Sequence, residues 1–98
     1  MGIDKALIEK VNILPGEKVL VVDNTNGVRL ETYIVEEKEN SGKIIIYGAA
    51  SRLIKKDDEI IIMGFELSNK PIKAKSIFVL GFNNLTQRVY YTPICKNY

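Results

Sequence analysis

Polar and apolar positions divide this chain into short segments with two different periods. Residues 18–22 read Lys-Val-Leu-Val-Val, apolar on both faces, which predicts a buried strand. Residues 28–35 alternate instead, and side chains two apart in a strand share a face. Arg29, Glu31 and Tyr33 are therefore expected on one face, with Val28, Leu30 and Thr32 on the other. Asn24-Thr25-Asn26-Gly27 separates the two strands, and Asn-Gly is a strong turn signal because both residues tolerate positive φ. Further strands are predicted over residues 43–47, 60–65 and 76–82, with a short one over 88–91 after a turn at Asn83-Asn84. Ile3, Leu7, Val11 and Leu14 fall on one stripe at helical spacing. Asp4 caps the helix this predicts, which runs through about Asn12 and ends at Pro15-Gly16. Residues 36–42 are charged and contain Asn40-Ser41-Gly42, which predicts an exposed hairpin loop. Residues 51–58 read as a solvated connection. Many short strands with one short helix suggest a closed barrel, because closure removes exposed edges.

At 98 residues the chain is expected to be one domain, residues 1–98, without repeats or an internal linker. Its 46% apolar content supports a small core with a poor surface-to-volume ratio, so association would stabilise it. A net charge of +2 is too small to point to a nucleic-acid polymer, for which a clustered basic stripe is expected. With no histidine and the single Cys95, a conventional zinc site, Ser-His or Cys-His dyads and an internal disulfide are all excluded. No glycine-rich phosphate loop is present. There is no transmembrane run, and Asp4 and Lys5 interrupt any signal-peptide pattern. The expectation is a soluble cytoplasmic protein with no metal and no membrane partner.

Arg29 and Tyr33 on one strand face make a clamp for a small anion, the guanidinium offering a fork of donors and the phenol one hydroxyl. The competing reading is a plain polar face on which Glu31 pairs Arg29. Beginning fifteen residues after Arg29, Ile44-Ile45-Ile46-Tyr47-Gly48-Ala49-Ala50 ends an apolar strand in small residues, which let a backbone approach a ligand closely. Tyr47 is either a core aromatic or a pocket ring able to stack on a planar ligand such as a nucleobase. Arg52 is either a surface residue or positive charge at the pocket rim. Asp57-Asp58 belong to a charged loop. Lys70, Lys73 and Lys75 lie in a solvated connection. Tyr90, Tyr91 and Tyr98 cover a core or an interface, and Cys95 is inert.

These segments, together with Ile3-Asp4, Ile13-Leu14-Pro15-Gly16-Glu17-Lys18-Val19 and Asp57-Asp58-Glu59-Ile60-Ile61-Ile62, carry a resemblance over roughly residues 3–66. In order and spacing they resemble the pyruvoyl-dependent aspartate 1-decarboxylases. The resemblance implies a mainly β fold, a small double-psi β-barrel with one short N-terminal helix, assembled as a homotetramer with sites between subunits. Residues 83–98 do not resemble the family closely and read as a divergent C-terminal extension. Carried over, Arg29 would hold a carboxylate, Thr32 would assist self-cleavage and Tyr33 would donate a proton after decarboxylation. Gly48, Ala49 and Ala50 would line the site. The family's pyruvoyl group forms from a serine three residues before the isoleucine that matches Ile3, and its carbonyl serves as an electron sink. That position falls before Met1, and Ser41, Ser51, Ser68 and Ser76 match no processing site, so no pyruvoyl cofactor is expected. The family's Asn-Gly-Ala-Ala is Tyr47-Gly48-Ala49-Ala50 here, a phenol in place of a compact amide.

These departures lead to the expectation of a catalytically inactive relative. It would be an oligomeric barrel that binds or sequesters a small anionic molecule between subunits, a nucleotide signal being one version. Arg29 would contact the anion; Tyr33, Tyr47, Gly48, Ala49 and Ala50 would shape the pocket, with Arg52 at its rim. The alternative is an enzyme, the α-chain-like fragment of an aspartate 1-decarboxylase making β-alanine. A third class is a structural or interaction barrel. Residues 88–91 are expected to fill a sheet edge left by the family's N-terminal segment.

Overall fold

The apolar run at residues 18–22 does form an interior strand of a sheet, but only one of its faces is fully buried. The chain order is β1 (Gly2–Asp4), α1 (Lys5–Lys10), β2 (Lys18–Asp23), β3 (Arg29–Tyr33), β4 (Val35–Glu37) and β5 (Ile44–Ile45). A 3-10 helix (Gly48–Arg52), β6 (Ile60–Phe65), β7 (Lys75–Asn83) and β8 (Arg88–Asn97) follow. This computed structural model describes the backbone of residues 1–71, 75–83 and 88–97, and the side chains of residues 1–71 and 77. Expectations for the side chains of Lys73, Lys75, Tyr90, Tyr91, Cys95 and Tyr98 lie outside the described residues.

Two sheets form, with strand orders β4-β1-β5 and β3-β2-β6-β8-β7. In the larger sheet Val19, Val21, Ile60 and Ile62 point into the core, whereas Leu20, Ile61 and Met63 are half-buried and Lys18 is exposed. The core joins Ile3, Ile8, Val11, Ile13, Ile34 and Ile54 to these residues. Fully burying each such side chain contributes about 1.5–3 kcal/mol. The result is a small, mainly β, barrel-like fold with one short α-helix among the described residues.

Several boundaries differ from the sequence reading, each for a local reason. The strand expected over residues 28–35 breaks at Ile34. Its N–H donates to Glu17 O at 3.1 Å and its carbonyl accepts from Gly16 N at 2.7 Å, which turns this residue into the core. The loop after β4 is not a hairpin, because β1 lies between β4 and β5, parallel to the first and antiparallel to the second. Asp4 caps α1 as expected, its carboxylate accepting Ala6 N at 2.8 Å. The helix stops at Lys10, short of Pro15-Gly16, with Asn12 at φ +59° just beyond its end. Ile3 is a strand residue, and Leu14 is 67% exposed, so neither belongs to a helical stripe. Residues 88–91 pair with β7 of the same chain, while Ile94 to Asn97 of β8 run parallel along the edge of β6.

Candidate functional site

The turn at residues 24–27 places Arg29. Gly27 takes φ +79°, while Asn26 keeps an ordinary φ and uses its side chain. That amide accepts Val28 N at 3.0 Å and donates to Leu53 O at 2.7 Å, tying the turn to the residue that caps the 3-10 helix. Asn24 Nδ2 adds a bond to Glu59 Oε1 at 3.0 Å, and Glu59 N donates to Thr25 Oγ1 at 3.0 Å. The two segments that carried the family resemblance are thus physically joined.

Arg29, Glu31 and Tyr33 are exposed on one face of β3, and Leu30 and Thr32 are half-buried on the other. Glu31 pairs with Lys18 Nζ at 2.8 Å rather than with Arg29. Among the described residues no carboxylate pairs with the Arg29 guanidinium. Arg29 and Tyr33 occupy opposite ends of the strand, roughly 13 Å apart at about 3.3 Å per residue. A cleft of about 640 Å3 beside β5 includes Lys43, Ile44, Ile54, Lys56 and Ile60 in its lining but none of Arg29, Tyr33 or Tyr47.

At the Tyr33 end the first residues of the chain are clasped. The residue 1 nitrogen donates to Tyr33 O at 2.8 Å and Val35 N donates to Met1 O at 2.7 Å. Burial pushes the pKa of that amine down, and the nearby Glu37 charge opposes the shift. Glu37, which the sequence reading did not single out, folds its carboxylate over Gly2, where a Cβ would lie 2.9 Å from Glu37 Cγ and Cδ. Tyr47 Oη donates to Glu37 Oε2 at 2.7 Å. Its ring is 51% exposed, so it is not a core aromatic. This hydrogen bond, with smaller help from burial and the Glu37 charge, raises the Tyr47 phenol pKa.

The segment from Tyr47 to Leu53 bridges the two ends: its first residue reaches Glu37 and its last carbonyl reaches Asn26. Gly48 takes φ +66°, and Ser51 Oγ closes the 3-10 helix on Gly48 O at 2.6 Å. Gly48, Ala49 and Arg52 are exposed and Ala50 is half-buried. Nothing in the charged run around Glu37 marked it in sequence, because its partners come from Gly2 and Tyr47. Among the described residues no group of three or more acidic or cysteine side chains could hold a metal. No helix there is long and apolar enough to cross a membrane.

A family model described as aspartate decarboxylase matches residues 1–86, and the chain belongs to that family. An aspartate 1-decarboxylase of Clostridium botulinum (strain Alaska E43 / Type E3) is 45% identical over 93 residues, covering 91% of this chain and 75% of the relative. One of Thermotoga petrophila is 45% identical over 85 residues, covering 87% and 75%. One of Staphylococcus aureus (strain JH9) is 44% identical over 86 residues, covering 85% and 68%.

Proposed function

We propose that this chain is the site-bearing part of a pyruvoyl-dependent aspartate 1-decarboxylase, cytoplasmic and working as a homo-oligomeric double-psi barrel that converts L-aspartate to β-alanine. The names of its relatives favour this over the inactive, ligand-sequestering barrel that led the sequence reading. The observation that carries it in the structure is the setting of the residue 1 nitrogen. Among the described residues that nitrogen donates to Tyr33 O, and its site is partly desolvated. An amide nitrogen has one N–H to satisfy and no charge. Acylating this nitrogen, as the family's pyruvoyl group requires, leaves the one N–H that the bond to Tyr33 O uses, so the backbone present fits the group.

When bound there, the group supplies a carbonyl that takes up the electrons released as a carboxylate leaves. The chain's own residues do the rest. Arg29, whose charge no described carboxylate neutralises, holds a substrate carboxylate through its fork of donors. Tyr33, with 60% exposure, presents a hydroxyl able to return a proton to carbon. Gly48, Ala49 and Ala50 keep the approach narrow and free of side-chain bulk, and Arg52 adds positive charge near them. Thr32 lies on the opposite face of β3 from Tyr33, which suits a part in self-cleavage better than contact with substrate.

Protein made from its natural gene and incubated with L-aspartate is expected to release β-alanine, with intact mass showing the acylated chain. No β-alanine from folded, correctly processed protein would overturn the reading. An inactive barrel binding a nucleotide or another small anion is the second reading, favoured by the unneutralised Arg29 and the exposed Tyr47 ring. Calorimetric binding of a nucleotide by protein that makes no β-alanine would support it.

A further inference from the structure

We propose that Glu37, steadied by Tyr47, is a specificity-determining carboxylate that selects ligands bearing an ammonium group at the residue 1 end of the site. The proposal rests on the decarboxylase reading for its substrate class, an amino acid whose amine must arrive beside residue 1.

Three features of the chain aim this carboxylate. Parallel pairing of β4 with β1 sets Glu37 opposite Asp4, two residues from Gly2. Gly2 has no Cβ, and any other residue there would collide with the Glu37 side chain lying over it. Tyr47, at the entry to the 3-10 helix, then fixes one carboxylate oxygen with a 2.7 Å bond from its hydroxyl. A carboxylate offers about four acceptor positions, so this one bond leaves the other oxygen and a further lone pair open. Among the described residues no lysine or arginine pairs with Glu37. The residue 1 nitrogen lies close enough to feel the Glu37 charge. Acylated, that nitrogen carries no charge, and among the described residues the held carboxylate has no cation partner at the place an amine approaches. A charge-assisted hydrogen bond to an incoming ammonium restores the balance; a ligand without one meets an uncompensated negative charge.

The test compares β-alanine with propionate, which differ in the ammonium alone and lack the second carboxyl that aspartate loses. Binding is measured by calorimetry on the processed protein. Glu37→Gln is expected to weaken β-alanine by about tenfold and leave propionate within about twofold. Tyr47→Phe, which keeps the charge but frees it to move, should weaken β-alanine about threefold. An ultraviolet titration gives a readout independent of ligand: Glu37→Gln should bring the Tyr47 phenol pKa back toward its ordinary range. Equal discrimination between the two ligands by wild type and Glu37→Gln would overturn the role of Glu37 and leave the decarboxylase reading standing. Wild-type protein that binds neither ligand would overturn both.

Discussion

Replacing Asp23 with Asn should make this protein more stable at neutral pH and leave it nearly unchanged in acid. Asp23 ends β2 and is 1% exposed. Its Oδ1 accepts Thr25 N at 2.8 Å, which holds the turn leading to Arg29. Its Oδ2 is buried and accepts no hydrogen bond from the described residues, and the neighbouring group is another carboxyl, Asp58. Burial, and then the hydrogen bond and charge of Asp58, raise the Asp23 pKa. The same bond, followed by one from Lys55 N, lowers that of Asp58. Of the two carboxyls, Asp23 is the one held more readily protonated, and Asp58 the one held more readily ionised.

A carboxyl whose folded-state pKa is raised stabilises the fold fully below its unfolded value, about 3.9, and loses that contribution as pH climbs through the folded-state pKa. Each unit of such a shift is worth about 1.4 kcal/mol. Asn at position 23 keeps an oxygen for Thr25 N and donates to Asp58 through its amide, with no proton to lose. Leaving a buried polar group unsatisfied costs about 1–3 kcal/mol, so Asp23→Asn should gain about that much at pH 7. For a domain of this size each kcal/mol moves Tm by roughly 4–8 °C. At pH 3 the difference should fall to within about 0.5 kcal/mol, since Asp23 is then protonated in both states. The lowered pKa of Asp58 persists in both proteins and drops out of the comparison. Urea and thermal unfolding of the two proteins from pH 3 to 8 measure this. A variant less stable than wild type at pH 7, or a difference flat across that range, would show that Asp23 is not the proton-bearing partner.

Asp4 works in the opposite direction. Burial opposes its ionisation, but N–H bonds from Gly42, Ala6 and Asn40 outweigh that and hold its pKa below the usual range, so its stabilisation is present above an unfolded value of about 3.9 and fades as pH falls through the folded one. Asp4→Ala orphans three backbone donors and should lower stability by about 3 kcal/mol, read by urea unfolding, and flatten the acid limb of the profile. Arg29→Ala should leave stability within about 0.5 kcal/mol, because the residue is exposed, yet reduce kcat/KM for aspartate by about one to two orders of magnitude in steady-state assays. Gly2→Ala pushes the flexible Glu37 side chain aside at a stability cost of about 1 kcal/mol or less, and should separate Glu37 from Tyr47, seen as a fall in the Tyr47 phenol pKa.

Local signals in the chain were read correctly where one element satisfies them by itself. Asp4 caps a helix because its carboxylate can reach Ala6 N two residues on. The alternation from Arg29 to Tyr33 separates exposed from half-buried side chains because a pleated strand alternates whatever it packs on. Glycine at 27 supplies a positive φ, as Asn-Gly turns require. The three-residue β1 carried no such signal. It exists because Gly2, Ile3 and Asp4 are gripped between β4 and β5, elements more than thirty positions away. The same holds for Ile34, whose backbone bonds to the turn at residues 14–17 cut a strand that looks continuous in sequence.

The residues of the chain determined its family, its alternation of short strands, the turn at residues 24–27, the helix cap at Asp4, and which side of β3 bears the arginine and the phenol. Tertiary structure decided the charges. It gave Glu31 to Lys18 and so left Arg29 unneutralised, set Glu37 over Gly2 within reach of Tyr47, and brought Asp58 to Asp23. Backbone preferences act over a few residues and can be read along a line. The energy of a charge depends on what lies within a few ångströms in space, and the pairing of strands sets that neighbourhood.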